Sequence, residues 1–379
     1  MDTMIAPAGL KGVVVADTTT GDVRGQEGFY HFRQYSAVEL ARTRSFEDVC
    51  HLMLEGQLPT AEQAVAHRAR LAEAATLPTG LEELLPAIAR SGADRASLAR
   101  LRTAVSHLGA LEQFAPTWGA DREQVKADVI RLVGAVPTIQ AALFRLRRGE
   151  EPLAPRPELG AAGSWLWMLT GAEPAAEHRD AIAAYLTSTI DHGFSASTFT
   201  ARVVTSSGSD VASAVCGAVG TFAGPLHGGA PDRALDALDD IATPDRARGW
   251  VRERVAAGER IMGFGHAVYR TMDPRAAMLR EIAQELGGPL VELAVRVEAE
   301  VVAARADLNP GRELHTNVEY YAGVVMERCG IPREMFTPTF ATARVVGWGA
   351  HILEQTTSPR IFRPAARYTG PEAPAPLPA

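Results

Sequence analysis

The stretch from Met262 to Arg275 brings together three kinds of residue that suit the binding of a small anion. Two of its glycines flank a phenylalanine, so the backbone can adopt dihedrals that other residues avoid and lie close against a ligand. His266 follows directly, and Asp273 with Pro274 marks the start of a helix whose first turn contains Arg275. A flexible backbone, an imidazole and a guanidinium predict a site for an anionic small molecule. A loop before a helix, with a histidine of no function, explains this stretch alone equally well.

Two further stretches place a histidine and a carboxylate in settings that favour proton transfer. His227 lies in the glycine-rich run 224–229, just before a helix predicted to open near Pro231. The positive end of that helix dipole disfavours a charged imidazole, and a neutral imidazole can donate a hydrogen bond to an enolate oxygen. Glu319 is surrounded by apolar residues, where burial would raise its pKa and make it a base for a weakly acidic carbon. The alternatives are a capping or core histidine and a glutamate on a solvated helix face.

Three more basic residues interrupt or end apolar helical patterns. His192 lies between an aspartate and a glycine at the end of a predicted helix, and Arg344 stands inside an apolar run. A buried guanidinium at Arg344 would need a partner, whereas a side chain that reaches the surface would not. The position of Arg363 is typical of an ordinary charged residue on the protein surface. Only two of the 38 basic residues are lysines, a bias typical of GC-rich genomes, so any single arginine is weak evidence of function.

Helical periodicity governs the chain from Ser36 onward and predicts an all-α protein. Pro137 is expected to kink or divide the long helix that contains it. A small N-terminal β-hairpin is predicted from the β-branched run 10–16 and from Phe29–Phe32. After these come helices predicted at 37–55, 61–75, 81–91, 95–108, 122–148, 164–171, 174–193, 197–206, 210–222, 231–241, 245–257, 274–286, 289–306, 317–329 and 337–355.

Length and composition exclude several classes of protein. The 379 residues can bury a large core in two domains, and 46% hydrophobic with 22% charged residues is typical of soluble globular proteins. No run approaches ~18 uncharged apolar residues and no signal peptide is visible, so no membrane association is expected. The net charge of −7, with no basic run, argues against nucleic-acid binding. Three unpaired cysteines, Cys50, Cys216 and Cys329, fit buried thiols in a reducing cytoplasm.

Known motifs for metals, nucleotides and hydrolysis are missing from the sequence. There is no HxH, HExxH or Cys/His pairing, so no metal site is predicted. No Walker loop occurs, and no GxGxxG follows a strand, which argues against nucleotide-binding folds. The histidine in the run 224–229 does not occupy a Gly-x-Ser-x-Gly hydrolase pattern.

Taken together, the motifs resemble those of the citrate synthase family and follow its order and spacing. The chain is most similar to the shorter bacterial and archaeal type, in particular to actinobacterial secondary citrate synthases. The resemblance extends over almost the whole chain. It rests on the segments 9–16, 191–200, 224–230, 262–270 with 273–275, 317–323 and 360–364.

The resemblance implies a homodimer of two-domain, all-α subunits that condenses acetyl-CoA with oxaloacetate in a closing cleft. Residues 1–224 and 324–379 would form the large domain, and residues 225–323 would form the small one. Acetyl-CoA enters as a substrate, and no cofactor is implied. The partners implied are therefore oxaloacetate, an acyl-CoA and a second subunit.

The roles of the site residues are carried over from the family. Glu319 would remove a methyl proton from acetyl-CoA, His227 would hold the thioester oxygen, and His266 would polarise and protonate the oxaloacetate carbonyl. The carboxylates of oxaloacetate would be held by His192, Arg275, Arg344 and Arg363, the last reaching across the dimer. The adenine end of CoA would contact Ile261, Met262, Gly263, Phe264 and Gly265.

Two departures from the family pattern leave the substrate open. Glu319 stands where most members have aspartate, and the extra methylene moves a carboxylate by ~1.5 Å unless the helix compensates. Ser195 replaces a usual asparagine beside His192. A 2-methylcitrate synthase that uses propionyl-CoA is therefore an alternative, since one methylene changes selectivity by only ~1–3 kcal/mol. A catalytically weakened paralogue that binds CoA as a regulator is a further alternative.

Overall fold

A computed structural model describes residues 5–93, 96–228, 235–259, 261–266, 268–308, 314–358 and 360–375. The described chain is mainly helical with one small three-stranded sheet, which confirms the prediction of an all-α protein. The helices α1 to α17 are Ala37–Thr43, Phe46–Glu55, Ala61–Ala74, Thr79–Glu82, Leu85–Arg90, Ser97–Leu111, Arg122–Arg147, Gly160–Thr170, Ala176–Thr189, Ala196–Ser206, Val211–Phe222, Asp236–Ile241, Pro244–Ala256, Pro274–Leu286, Pro289–Leu308, Val318–Arg328 and Phe336–Gln355. Short 3-10 turns lie at Ala8–Leu10, Pro157–Leu159 and Arg333–Met335.

Side chains that cap the first turn fix where several helices begin. Ser45 accepts a hydrogen bond from the backbone N–H of Asp48 at the start of α2. Thr60 and Gln63 form a reciprocal capping box at the start of α3. Such caps satisfy backbone N–H groups that have no partner inside the helix, so helix starts could be predicted from the sequence.

The structure corrects two local predictions in part. Pro137 lies inside α7 and does not divide it, because surrounding helices bury this segment and offset the lost backbone hydrogen bond. The hairpin pairs β1 (Gly21–Arg24) with β2 (Phe29–Phe32), and β3 (Tyr35–Ser36) extends the sheet. The run 10–16, predicted as a strand, pairs with nothing in the sheet and exposes most of its residues to solvent. The start of the helix predicted at 231–241 lies outside the described residues.

Helix α17 runs through the centre of the large core and carries part of the predicted site. Every residue of α17 except Glu354 is buried, and the helix packs against α2, α7, α9, α10 and α11. Close packing is possible because Gly347 lies directly against the Ile190 carbonyl and Gly349 against Val129. The end of α9 and the turn after it are therefore pressed against α17, which places the His192 segment beside Arg344.

A second group of helices carries the remaining predicted residues. Helix α14 packs against α16, and α13 packs against α15. Arg275 lies in the first turn of α14, and Glu319 lies in the first turn of α16. The two helix starts therefore adjoin each other. The predicted division into residues 1–224 with 324–379 and residues 225–323 stays a prediction.

Helix α7 is the one described helix that is long and apolar enough to cross a bilayer. Of its most apolar window, 78% lies buried inside the protein. Burial of this kind is what a core helix of a large domain requires.

We predict that Gly347→Ala destabilises the fold by about 1–3 kcal/mol, because its Cβ would overlap the Ile190 carbonyl in a packed helix crossing. Gly249→Ala is the matched control, since the same change inside α13 meets no atom within 4 Å. The control should be neutral or stabilise by roughly 0.5–1 kcal/mol. Urea denaturation measures both changes, and equal effects of the two variants would contradict the assigned helix contact.

Candidate active site

The structure brings His192 and His266 together, although 73 residues separate them in the sequence. Their ring centroids lie 5.6 Å apart in an edge-to-face arrangement. Tyr269 contacts both rings, and its Oη lies 3.0 Å from His192 Nε2. Tyr30 on β2 closes the other side of His192, with 5.6 Å between ring centroids. The hairpin, the turn after α9 and the glycine loop therefore meet at one place.

Backbone contacts fix which nitrogen of His266 faces the site. His266 Nδ1 accepts hydrogen bonds from the backbone N–H groups of Val268 at 2.9 Å and Tyr269 at 3.1 Å. Burial lowers the pKa of His266 to about 4, with the Arg275 charge adding to the effect. The ring is therefore neutral near pH 7, and its proton is on Nε2. Arg275 Nη2 lies 3.4 Å from His266 Nε2. Both nitrogens carry protons, so neither accepts a hydrogen bond from the other, and the His266 Nε2–H group is left to donate to a ligand.

Arg275 is held by a buried carboxylate in its own helix turn. Asp273 Oδ1 accepts from the Arg275 backbone N–H and Nε, both at 3.0 Å, and Oδ2 accepts from Nη2 at 2.8 Å. Asp273 is therefore the N-cap of α14, as predicted. Oδ2 also accepts from the backbone N–H of Val318 at 3.2 Å. One carboxylate thus joins the start of α14 to the start of α16.

Glu319 is a largely buried carboxylate without a hydrogen-bonding partner among the described residues. Its backbone N–H donates to the Asn317 side chain at 3.1 Å, which caps α16. Burial is the main cause that raises the pKa of Glu319, the Arg275 charge opposes it and the Asp273 charge adds to it, and the resulting pKa is about 7. The alternative of a solvated glutamate is therefore wrong. A carboxylate of this pKa can act as a base near neutral pH.

The loop Ile261–Gly265 is joined to the segment that precedes Glu319. Phe264 forms an antiparallel bridge with Thr316, and the Asn317 backbone N–H donates to the Gly263 carbonyl at 2.8 Å. The Asn317 side chain donates to the Gly265 carbonyl at 3.0 Å. Gly263 has φ +84°, and a Cβ there would lie 2.8 Å from the Tyr320 ring, so the tight path requires glycine. The loop, His266 and Glu319 therefore form one connected unit.

His227 is oriented by a serine that the sequence analysis did not select. His227 Nε2 lies 2.8 Å from Ser197 Oγ and 3.3 Å from the Ser197 backbone nitrogen. Trp348 Nε1 donates to the same Oγ at 3.1 Å, so the hydroxyl proton is free to point at His227. Burial, with a smaller effect from Arg344, lowers the pKa of His227 to about 4. The neutral ring accepts at Nε2 and therefore carries its proton on Nδ1.

Arg344 is buried, with 2% of the residue exposed, so the alternative of a surface-reaching side chain is wrong. Its Nε donates to the Thr189 carbonyl at 2.9 Å, and the guanidinium lies 4.7 Å over the Phe340 ring. Burial lowers the pKa of Arg344 to about 10, and the nearby Asp191 carboxylate opposes that effect. The Arg344 charge also lowers the pKa values of His192 and His227, so Arg344 lies near both imidazoles.

Comparisons with known proteins decide the family. The family model "Citrate synthase, C-terminal domain" matches residues 9–365. The chain belongs to the citrate synthase family. It is therefore an enzyme, an acyltransferase of the citrate synthase type.

Relatives in this family carry two different names. Citrate synthase 2 of Bacillus subtilis is 36% identical over 374 residues, which cover 97% of both chains. A 2-methylcitrate synthase of Shewanella oneidensis is 35% identical over 364 residues, covering 96% of this chain and 94% of that one. The crystal structure of citrate synthase from Pyrobaculum aerophilum matches with a TM-score of 0.87 and 34% identity, covering 97% and 93% of the two chains.

Arg363 lies apart from the site residues described above. It lies in the exposed segment 360–375, which has no regular secondary structure, and no hydrogen bond or ion pair among the described residues joins it to the other predicted residues. Its neighbour Phe362 anchors this segment, since the Phe362 backbone N–H donates to Ser206 Oγ at 3.1 Å and the ring packs on Phe199. The predicted role of Arg363 in a partner's site stays a prediction.

Tyr30, Ser197 and Tyr269 belong to this site but were not predicted from the sequence. Ser197 and Tyr269 lie within the citrate synthase motifs quoted above, where their neighbours attracted attention first. A signal for Tyr269 existed, because a phenol three residues after His266 can fold back onto it in a tight turn. Tyr30 carried no local signal, since an aromatic in a strand is ordinarily a core residue.

The raised pKa of Glu319 predicts a stability difference that depends on pH. The folded state binds the proton more tightly than the unfolded state, so wild-type stability relative to Glu319→Gln is greatest below the ordinary glutamate pKa. The difference in free energy of unfolding between wild type and Glu319→Gln should fall as the pH rises toward 7 and stay constant above pH 7. The total fall should be at most roughly 3 kcal/mol. Urea denaturation of both proteins between pH 4.5 and 8 measures this difference. A difference that stays constant over that range would contradict the raised pKa.

Proposed function

We propose that this enzyme condenses acetyl-CoA with oxaloacetate to form citrate and CoA. The observation that carries the proposal is the arrangement around Glu319. A largely buried carboxylate with a pKa of about 7 shares one connected unit with a neutral His266 whose Nε2 proton is available. Enolisation of a thioester, followed by addition of the enol to a ketone, requires a base and an acid at fixed positions relative to each other.

The first step in this proposal makes the nucleophile. Glu319 takes a proton from the methyl carbon of acetyl-CoA, and the electrons of that C–H bond move toward the thioester oxygen. His227 donates a hydrogen bond from Nδ1–H to that oxygen, and Ser197 keeps Nε2 occupied as the acceptor. A neutral imidazole is suited to this role because its proton stays available while negative charge develops nearby.

The second step joins the two substrates. His266 donates its Nε2 proton to the oxaloacetate carbonyl oxygen while the enol carbon bonds to the carbonyl carbon. His192, Arg275 and Arg344 bind the oxaloacetate carboxylates. Water then hydrolyses the resulting thioester to a carboxylate and the CoA thiol, and proton exchange with water removes the proton from Glu319 and returns one to His266 Nε2. Bases, hydrogen-bond donors and arginines suffice for this chemistry, so the proposal includes no metal or prosthetic cofactor.

The proposal extends to the assembly of the site. The loop Ile261–Gly265 contacts the adenine end of CoA, and residues 225–323 close over residues 1–224 and 324–379 to exclude water. Arg363 reaches the oxaloacetate site of a partner subunit in a homodimer. The free cysteines support a location in the reducing cytoplasm.

A 2-methylcitrate synthase that uses propionyl-CoA is the second candidate. It would use the same fold and residues, because one methylene changes selectivity by only ~1–3 kcal/mol. The similarity to the Shewanella oneidensis enzyme supports it. A weakened CoA-binding regulator is the third candidate and rests on Glu319 in place of aspartate.

We predict that acetyl-CoA has a higher kcat/KM than propionyl-CoA by about 10- to 100-fold, because one methylene is worth ~1–3 kcal/mol in a fitted pocket. Steady-state release of CoA in the presence of oxaloacetate measures both values. A preference for propionyl-CoA would replace the first candidate by the second. Absence of turnover with either substrate would favour the regulator.

Substitutions at Glu319 test the base directly. Glu319→Gln removes the proton acceptor at nearly constant size and should lower kcat by roughly 100- to 10,000-fold. Glu319→Asp keeps a carboxylate and should retain activity within about tenfold of wild type. A Glu319→Gln enzyme with wild-type kcat would remove this residue from the mechanism.

Subunit mixing tests the role of Arg363. Arg363→Ala should lower activity by roughly 30-fold or more, since it removes one partner of a charge pair with the substrate. Exchanging subunits between inactive Glu319→Gln and Arg363→Ala proteins should restore about a quarter of wild-type activity, because half of the dimers then contain one intact site. Glu319→Gln mixed with His227→Gln is the matched control, and it should stay inactive. No recovery in the first mixture would contradict a shared site.

A further inference from the structure

Tyr30 on β2 contacts two of the residues that the proposed function assigns to oxaloacetate. The centroid of its ring lies 5.6 Å from the centroid of the His192 ring and 5.8 Å from Cζ of the Arg275 guanidinium. Tyr30 is only 1% exposed, so both contacts are made inside the protein. Burial raises the pKa of the Tyr30 phenol well above its ordinary value, and the phenol is therefore neutral near pH 7.

The hydroxyl of Tyr30 reaches the last turn of α9. Its Oη donates to the Ser188 carbonyl at 3.0 Å, and the next carbonyl, that of Thr189, accepts from Arg344 Nε at 2.9 Å. Carbonyls in the last turn of a helix have no partner inside the helix, so buried ones need donors from elsewhere. Ser188 and Thr189 are both buried. The phenol and the Arg344 guanidinium thus complete the same helix end, just before His192.

The hairpin that carries Tyr30 is joined to two segments of the site. Val23 is the register partner of Tyr30, and its side chain lies against Gly193, where a Cβ would be 3.2 Å from Val23 Cγ2. The Gly25 carbonyl accepts from the Arg270 backbone N–H at 3.0 Å, in the loop that precedes α14. Tyr30 therefore projects from a strand that is connected both to the turn after α9 and to that loop.

Two aromatic rings cover the groups that Asp273 alone does not hold. Asp273 binds one edge of the Arg275 guanidinium through Nε and Nη2, which leaves the faces of this planar group uncovered. The rings of Tyr30 and Tyr269 lie 5.8 and 5.9 Å from its central carbon, within the range of cation–π attraction. The same two rings contact His192. The positions of both oxaloacetate-binding groups thus depend on this aromatic pair.

We propose that Tyr30 is a positioning residue: its ring orients His192 and Arg275, and its hydroxyl holds the end of α9. The inference rests on the proposed function, which makes oxaloacetate the anion that these groups bind. The hydroxyl gives its only proton to a backbone carbonyl, so Tyr30 acts through its neighbours and not on the substrate. Among the described residues, no hydrogen bond or ring contact joins Tyr30 to His227 or Glu319. Loss of its ring should therefore weaken the oxaloacetate side of the site and spare the acyl-CoA side.

The orientation of the two groups is tested first, without substrate. In ligand-free crystals of Tyr30→Leu, the His192 ring and the Arg275 guanidinium should leave their wild-type positions or occupy two conformers, because one of the two aromatic rings beside them is gone. Tyr30→Phe keeps the ring and should keep both wild-type positions. This comparison needs neither binding nor turnover, so it stands even if the proposed reaction is wrong. Unchanged His192 and Arg275 side chains in Tyr30→Leu would overturn the inference.

Oxaloacetate binding tests the consequence. Calorimetry should show about tenfold weaker oxaloacetate binding to Tyr30→Leu, a loss in the range of a desolvated cation–π contact. Tyr30→Phe should lose roughly threefold in affinity, because only the hydrogen bond to the Ser188 carbonyl is removed. The KM for acyl-CoA should change by less than about twofold in both variants, a split that a general loss of stability would not produce. Phe32→Leu, an equally buried position on the same strand, is the matched control and should keep wild-type oxaloacetate affinity.

Wild-type oxaloacetate affinity in Tyr30→Leu would overturn the positioning role, as would equal increases in the KM values for oxaloacetate and acyl-CoA. If Tyr30→Leu does not fold, Tyr30→Phe decides the matter, and unchanged oxaloacetate affinity in that variant would overturn the inference. If the wild-type enzyme binds no oxaloacetate while the Tyr30→Leu crystals show the displaced side chains, the proposed function is refuted and the positioning of His192 and Arg275 by Tyr30 is established.

Discussion

The Asp273 carboxylate is the contact on which the rest of the site depends. It is buried, it pairs with Arg275 through two parallel hydrogen bonds, and it also accepts the backbone N–H of Val318. An isolated buried carboxylate would be strongly unfavourable, so removal of either partner would leave a charge without compensation. Because the same group joins the starts of two helices, it sets the positions of Arg275 and Glu319 together. The field of this pair then acts on every nearby titratable group.

Burial explains most of the protonation pattern of the site. It is the largest cause for the lowered pKa values of His227 and His266 and for the raised pKa of Glu319. One physical effect therefore favours the neutral form of bases and acids alike. The arginines stay charged because a guanidinium loses its proton only at very high pH. The site thus combines neutral proton donors, a carboxylate near its midpoint at pH 7 and fixed positive charge, a combination that an anionic substrate complements.

Features that depend on local chemistry could be predicted from the sequence, and features that depend on tertiary pairing could not. Apolar periodicity predicted most helices, and Asp273 with Pro274 predicted the start of α14. The glycines beside Phe264 predicted a tight loop. By contrast, the contact between Ser197 and His227 joins residues 30 positions apart, and the contact between Asp273 and Val318 joins residues 45 apart. Neither spacing nor composition encodes such pairs, because they form only when separate helices pack.

Glu319 shows how a departure from a family pattern can be accommodated. Asn317 connects the start of α16 to the loop Gly263–Gly265 through its backbone N–H and its side chain. Asp273 connects the same helix start to α14. Two independent connections hold α16, so the helix is not free to retreat by the length of a methylene. The extra length of glutamate must instead be taken up by its own side-chain torsions, at a small cost in rotamer freedom. A fixed helix with an adjustable carboxylate preserves the relation between Glu319 and His266, which is the relation that the proposed condensation needs.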